Sequence, residues 1–349
     1  MTITRFSFPT TIHFGPGARK LVADHLRDAG FERPLIVTDK ALAALPVLAE
    51  FHTHLAGLHV GQFDGVFGNP TASQVMAGAA AFKAHHADCV IGFGGGAALD
   101  VAKLVGVMAV HAGDVIEYAW DHPHVRPIAI DLPHFIALPT TAGTGSEVGR
   151  SSVVSENDTH VKRVVFSPKL LAKAVFADPE LTLGLPPAVT AATGMDALTH
   201  NVESYLSPAY HPLCDGIALE GTRIAARSLM TAVKEPGNID ARSDMMDLHH
   251  GLANALMIDT VLAWNYDAVP RKFDELAHVA GVKGGGAAFV PWLRELKAAI
   301  GISGGLAQRG VKPEQLPRLV DIAAADICHQ TNPRPCTPAD FERFFKAAM

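Results

Sequence analysis

The fold class this sequence predicts is an α/β N-terminal domain with a parallel sheet, followed by an all-α C-terminal domain. Through the first half, short apolar runs alternate with longer amphipathic segments. Strands that alternate with helices need crossover connections, and crossovers make the sheet parallel. Beyond Asp178, punctuation at Leu185-Pro-Pro187 leads into long helix-period patterns with few β-branched runs. At 349 residues the chain exceeds what one hydrophobic core usually supports, so two domains are expected, 1–184 and 185–349.

Taken in order, Pro34-Leu-Ile-Val-Thr-Asp39 reads as a buried strand, and Ala87-Asp-Cys-Val-Ile-Gly-Phe93 as a second one. The second runs into glycines and then a helical stretch from Leu99 to Val110. Phe135-Ile-Ala-Leu-Pro139 and Val175-Phe-Ala-Asp178 are further strands. In the second domain, Ala188 to Leu206, His211 to Ala232, Asp274 to Val282 and Phe289 to Ile300 carry helical periodicity. Turn clusters such as Glu235-Pro-Gly-Asn238 and Gly284-Gly-Gly286 break them.

The composition narrows the function classes. A net charge of −6, with no Lys/Arg run of five, offers no footprint for nucleic acid or an anionic membrane. Cys89, Cys214, Cys328 and Cys336 lie far apart without CxxC spacing, which suggests neither a thiolate metal knot nor a disulfide framework. With no N-terminal targeting pattern and no run of eighteen apolar residues, the expectation is a cytoplasmic protein with a small-molecule ligand.

Gly94-Gly-Gly96 lies between a strand and a helix. There, glycines let backbone N–H groups approach a phosphate, and the helix dipole favours its charge. The plainer alternative is a tight turn with no ligand. Asp39 ends an earlier strand, where a carboxylate can accept from a ribose hydroxyl and repel a 2′-phosphate, favouring NAD over NADP. It could equally cap the helix starting near Ala41. The loop Pro139-Thr-Thr-Ala-Gly-Thr-Gly-Ser-Glu147 places hydroxyls among glycines after another strand. Two such loops point to a nucleotide crevice in a Rossmann-like domain.

In Gly194-Met-Asp-Ala-Leu-Thr-His-Asn-Val-Glu203, Asp196 and His200 stand four apart, on one helical face. One divalent cation such as Fe²⁺ or Zn²⁺ could bridge them, although a simple i,i+4 ion pair explains the spacing too. Leu248-His-His-Gly251 supplies His250 as a third ligand, with His249 and His250 also readable as core or cap residues.

Together these pieces resemble the iron-containing, group III alcohol dehydrogenases, which share a dehydroquinate synthase-like fold. The resemblance runs nearly end to end. It is carried by Phe14-Gly-Pro-Gly17, Val37-Thr-Asp39, Gly68-Asn-Pro-Thr71, Gly94-Gly-Gly96 with Asp100 and Lys103, and Thr140-Thr141 with Gly143-Thr-Gly-Ser-Glu147. Asp178-Pro-Glu180, Thr193-Gly-Met-Asp-Ala-Leu-Thr-His200, His211-Pro-Leu-Cys-Asp215, His250-Gly-Leu-Ala-Asn254 and Thr331-Asn-Pro-Arg334 continue it. It implies a cofactor site of Asp39, Asn69, Gly94, Gly95, Gly96, Ala97, Asp100, Thr140, Thr141, Thr144 and Lys162. It also implies metal ligands Asp196, His200 and His250, with Lys162 and His250 as catalytic candidates. The implied reaction interconverts a small alcohol and its aldehyde or ketone by metal-assisted hydride transfer to NAD, in a homodimer.

The chain departs from the family pattern in two places. Ala97 stands where the family usually has Ser or Thr, so one hydroxyl contact to phosphate is lost while the backbone cradle remains. Between Ala241-Arg-Ser-Asp-Met-Met246 and Leu248-His-His-Gly251 the family carries a stretch about as large as a helical hairpin, with a further ligating His and a second His near the substrate. Here the two segments abut, at residues 246–247. Two other readings follow: a metal-free maleylacetate reductase, and a catalytically impaired NAD-binding protein.

Overall fold

A computed structural model describes residues 10–246 and 252–349. The chain divides into two compact units, Met1–Thr141 with Gly145–Thr182, and Ala142–Thr144 with Leu183–Met349. His249 and His250 lie outside the described residues.

The first unit contains strands β1 (Thr11–Phe14), β2 (Pro34–Asp39), β3 (Gly61–Val66), β4 (Cys89–Gly94), β5 (His134–Pro139), β6 (Ser151–Ser155), β7 (Lys162–Phe166) and β8 (Ala174–Ala177). Its helices are α1 (Val22–Asp28), α2 (Lys40–Ala43), α3 (Pro46–His54), α4 (Ala72–His85) and α5 (Gly96–Val110). Six strands form one parallel sheet in the order β1-β8-β5-β4-β2-β3. β6 and β7 make a separate antiparallel hairpin.

Strands β2, β4, β5 and β8 are buried almost end to end. That is why they read as continuous apolar runs: helices cover both of their faces. Ile36, Ile91, Phe93 and Ile136 share one core with Leu26 of α1 and with Leu48 and Phe51 of α3. On the opposite face Gly92 sits against Leu99 and Ala102 of α5. The strand order reverses between β2, which leads to β3 on one side, and β4, which leads to β5 on the other. A crevice outside the carboxyl ends of such a strand pair is where open α/β sheets bind ligands.

The periodicity missed β1, β3 and the β6–β7 hairpin. β1 is an exposed edge, and β3, at the other edge, carries Gly61, Asp64 and Gly65, so neither displays a buried run. The helical stretch read from Leu99 begins three residues earlier, at Gly96 itself.

The second unit holds α6 (Pro187–Leu206), α7 (Pro212–Lys234), α8 (Ile239–Met246), α9 (Leu252–Asn265), α10 (Pro270–Val279), α11 (Phe289–Ala299), α12 (Leu316–Ala325) and α13 (Pro338–Ala347). α6, α7, α10 and α13 each open on a proline, whose missing N–H costs nothing at that position. For α10 this moves the start to Pro270, ahead of the periodicity read from Asp274. Met195, Leu198 and Val202 of α6 pack in one core with Leu229 of α7, Ile258 and Leu262 of α9, Phe273 of α10 and Phe289 of α11. No helix among the described residues is long and apolar enough to cross a membrane.

Polar closure of the first unit rests on Asp178, directly after β8 and fully buried. Its carboxylate accepts from the backbone N–H groups of Gly17 (3.1 Å), Arg19 (3.2 Å) and Glu180 (3.1 Å), and from Arg19 Nη1 at 2.6 Å. Removing one side of a buried ion pair leaves the other charge uncompensated. Asp178→Ala is therefore expected to lower the unfolding free energy by about 3 kcal/mol, read as a reduced urea midpoint at unchanged m-value.

Candidate nucleotide and metal sites

The first candidate site is built where β4 ends. Gly94 has φ +152°, and a Cβ there would lie 2.7 Å from Ala98 Cβ, so a side chain is excluded on both counts. At Gly95 a Cβ would lie 3.3 Å from Thr141 Cγ2 and 3.4 Å from its Oγ1. Helix α5 starts at Gly96 with no side-chain cap. The N–H groups of its first turn and its dipole therefore remain available to an anion.

Thr141 faces this turn from the end of β5, and its buried Oγ1 has no hydrogen-bond partner among the described residues. An unsatisfied buried hydroxyl across from a side-chain-free glycine suits a phosphate oxygen. Thr140 is buried, and its N–H donates to the Gly94 carbonyl at 3.0 Å, which locks the two loops together.

Asp39 caps a helix and at the same time stands beside the glycine turn. Its Oδ1 accepts from Leu42 N–H at 2.8 Å, capping α2. Its Oδ2 lies 3.5 Å from where a Gly94 Cβ would stand, beside the glycine turn. Asn69 is exposed in the loop after β3. That loop is held by Ser155 N–H donating to the Pro70 carbonyl at 2.8 Å and by the Thr71 cap on α4. Ala97 is half-buried in the first turn of α5.

Asp100, expected among the cofactor-binding residues, has its carboxylate turned into the fold. Ser146 Oγ donates to Oδ1 at 2.5 Å and Val153 N–H to Oδ2 at 3.0 Å. Beside it Lys103, 2% exposed, donates from Nζ to Ser146 Oγ (2.9 Å) and to the Ser151 carbonyl (2.8 Å). Its Nζ is 3.8 Å from Asp100 Oδ1. Burial pushes the lysine down and the carboxyl up from their ordinary values, and their mutual attraction opposes both shifts. Asp100 and Lys103 thus hold the loop of Ser146 and the start of the β6–β7 hairpin from behind. The motif Asp100-x-x-Lys103 was visible in the sequence; Ser146 and the hairpin as its targets were not.

Lys162 opens β7, where it pairs with Ser155, and its side chain is exposed. Thr144 falls with Ala142 and Gly143 in the second unit.

The second candidate site is on α6. Asp196 is fully buried among Met195, Ala197 and Leu198, and His200 follows one turn later. His200 Nε2 is 3.6 Å from Glu203 Oε1. In kind, a buried carboxylate and an imidazole on one face suit a divalent first-row cation. In number they are few: among the described residues no three His, Cys, Asp or Glu side chains come together. His250, the third ligand expected, lies outside the described residues.

Residues 9–179 match the family model described as iron-containing alcohol dehydrogenase, and residues 190–247 and 246–349 match that of the family's C-terminal part. The chain is 33% identical over 377 aligned residues to a 4-hydroxybutyrate dehydrogenase of Cupriavidus necator, covering 97% of this chain and 98% of the relative. A solved 1,3-propanediol oxidoreductase superposes with a TM-score of 0.93 at 32% identity, covering 100% of both chains. A sulfoacetaldehyde reductase from Bifidobacterium kashiwanohense, solved in complex with NAD⁺, superposes with a TM-score of 0.84 at 26% identity, covering 100% of this chain and 99% of that one. The C-terminal match comes in two pieces that meet at residues 246–247. The 377-residue alignment is longer than the 349-residue chain, so it opens gaps in this chain.

Thr141→Val keeps the shape of the cradle and removes its hydroxyl. The expected result is a Kd for NADH raised by about 3- to 10-fold, the worth of one hydrogen bond. Titration of NADH fluorescence checks it, and an unchanged Kd would remove Thr141 from the site.

Proposed function

The chain belongs to the iron-containing alcohol dehydrogenase family, and from that premise we propose how its own residues carry the oxidoreductase chemistry of alcohols and aldehydes. The observation that supports the reading best is the pairing of the Gly94–Gly96 turn with the unsatisfied Thr141 hydroxyl, at the reversal of strand order. The first-turn N–H groups of α5 and Thr141 Oγ1 hold the pyrophosphate. Asp39 Oδ2 accepts from an adenosine ribose hydroxyl and repels a 2′-phosphate, which selects NAD(H) over NADP(H). The loss of a hydroxyl at Ala97 leaves this cradle resting on backbone donors.

Asp196 and His200, with His250, are the residues that would hold iron or zinc. When bound, the cation supplies Lewis-acid polarisation of a substrate oxygen, and NAD(H) accepts or supplies the hydride. Asp196 contributes formal negative charge from a fully buried position, which raises cation affinity, and His200 contributes a neutral nitrogen. The Asp100–Lys103 pair keeps the loop of Thr140 and Thr141 in register with the glycine turn, so that loss of either charge would loosen nucleotide binding from behind.

A second reading, a catalytically impaired NAD-binding protein, is favoured by the family match that breaks at 246–247. The two separate in one assay. NADH and NADPH oxidation is followed with short aldehydes and with maleylacetate, with and without added Fe²⁺ or Zn²⁺ and with chelator. Turnover is expected with aldehydes and NADH, lost on chelation and restored by metal. Turnover indifferent to chelator would end the metal reading, and tight NADH binding with no turnover would favour the impaired protein. Asp39→Gly is expected to narrow the preference for NADH over NADPH at least tenfold, read as the ratio of the two Kd values.

A further inference from the structure

The second unit contains a half-open cavity of about 620 Å³ lined by α6, α9, α13 and the segment carrying Cys328 to Cys336. That is well within the range that receives an entire organic ligand, and far more room than a three-carbon diol needs. Val202 and Leu206 of α6, Val261 and Leu262 of α9, and Phe341 and Phe344 of α13 make its walls mostly apolar.

The polar side chains in the walls are largely engaged with one another or with backbone. Asn265 and Asn332 donate to each other's carbonyl oxygens at 2.7 and 2.8 Å. Thr199 Oγ1 donates to the Met195 carbonyl at 2.8 Å. Partial burial and the neighbouring Asp326 push the Cys328 thiol up to about 11. The space therefore asks for apolar volume and offers few directional bonds, the condition under which cavities take up hydrocarbon in preference to water.

One wall residue ties the cavity to the candidate metal ligands. Glu203 lines it and stands 3.6 Å from His200 Nε2. The cavity thus reaches Glu203, one helical turn beyond His200 and two beyond Asp196. The helical unit is also where the family match is interrupted, and a helical unit short of a stretch its relatives possess leaves apolar faces uncovered.

We propose that this cavity receives the body of the substrate, and that the chain acts on aldehydes and alcohols with a bulky apolar alkyl or aryl group, of the size of octanal or benzaldehyde. This rests on the reading of α6 as the reacting centre. Glu203 marks the entrance nearest that centre; Val261 and Met257, one turn apart on α9, form the wall that a side chain can fill.

The test uses the whole chain and the variants Val261→Phe and Met257→Trp, each checked for NADH binding and an unfolding midpoint near that of the parent. In the parent, kcat/KM for octanal and benzaldehyde is expected to exceed that for propionaldehyde, and the ratio is expected to fall at least about tenfold in either variant. Independently of turnover, benzyl alcohol without NAD⁺ is expected to raise the parent's Tm and to lose that effect in both variants. Turnover on short aldehydes with a ratio unmoved by both variants overturns the proposal. So does a Tm that benzyl alcohol leaves unchanged in the parent. A variant-sensitive Tm shift with no turnover on any aldehyde overturns the dehydrogenase reading alone, and supports the cavity as an apolar ligand site.

Discussion

An ammonium group with almost no exposed surface, Lys103, sets the arrangement of the first unit's functional end. A buried charge is tolerated only with partners on every side, and each of its partners lies on a different element. Asp100 is on α5, Ser146 is in the second glycine loop, and Ser151 begins the β6–β7 hairpin. The position of α5 is in turn dictated by the glycine turn from which it starts. One polar cluster therefore couples the glycine turn to the loop that faces it and to the hairpin that carries Lys162. Arg19 and Asp178 do the same for the other end of the sheet, tying the turn after β1 to the residue after β8.

The second unit is organised by the opposite principle. Its hydrophobic core includes Met195 and Leu198 of α6, and the same helix bears a fully buried carboxylate, Asp196, next to a half-buried imidazole. Such a carboxylate belongs with a cation or strong donors, and the neighbouring His200 gives the choice its chemical direction. The mostly apolar cavity lined by Val202, Glu203 and Leu206 lies on an adjoining face of the same helix.

Legibility followed burial. β2, β4, β5 and β8 could be read because helices cover both faces and leave unbroken apolar runs. β1 and β3 could not, since edge strands tolerate Gly, Asp and exposed positions that erase the period. At the sites, residue types were legible and directions were not. Asp39 was open between cap and ribose contact, and its two oxygens divide between the cap and the glycine turn. Asp100 was expected against the cofactor, whereas its oxygens are spent on Ser146 and Val153.

What the sequence determined by itself is whatever depends on neighbours in the chain: the glycine turn between strand and helix, the i,i+4 spacing of Asp196 and His200, the prolines that open helices, and the junction at 246–247. Only the tertiary structure decided which side chains meet across long separations. Thr141 opposite Gly95, Lys103 beneath Ser146, Arg19 on Asp178 and the container beside α6 are of this kind. Their positions follow from the packing of whole elements, and no local period in the sequence encodes the direction in which a side chain points once those elements are packed.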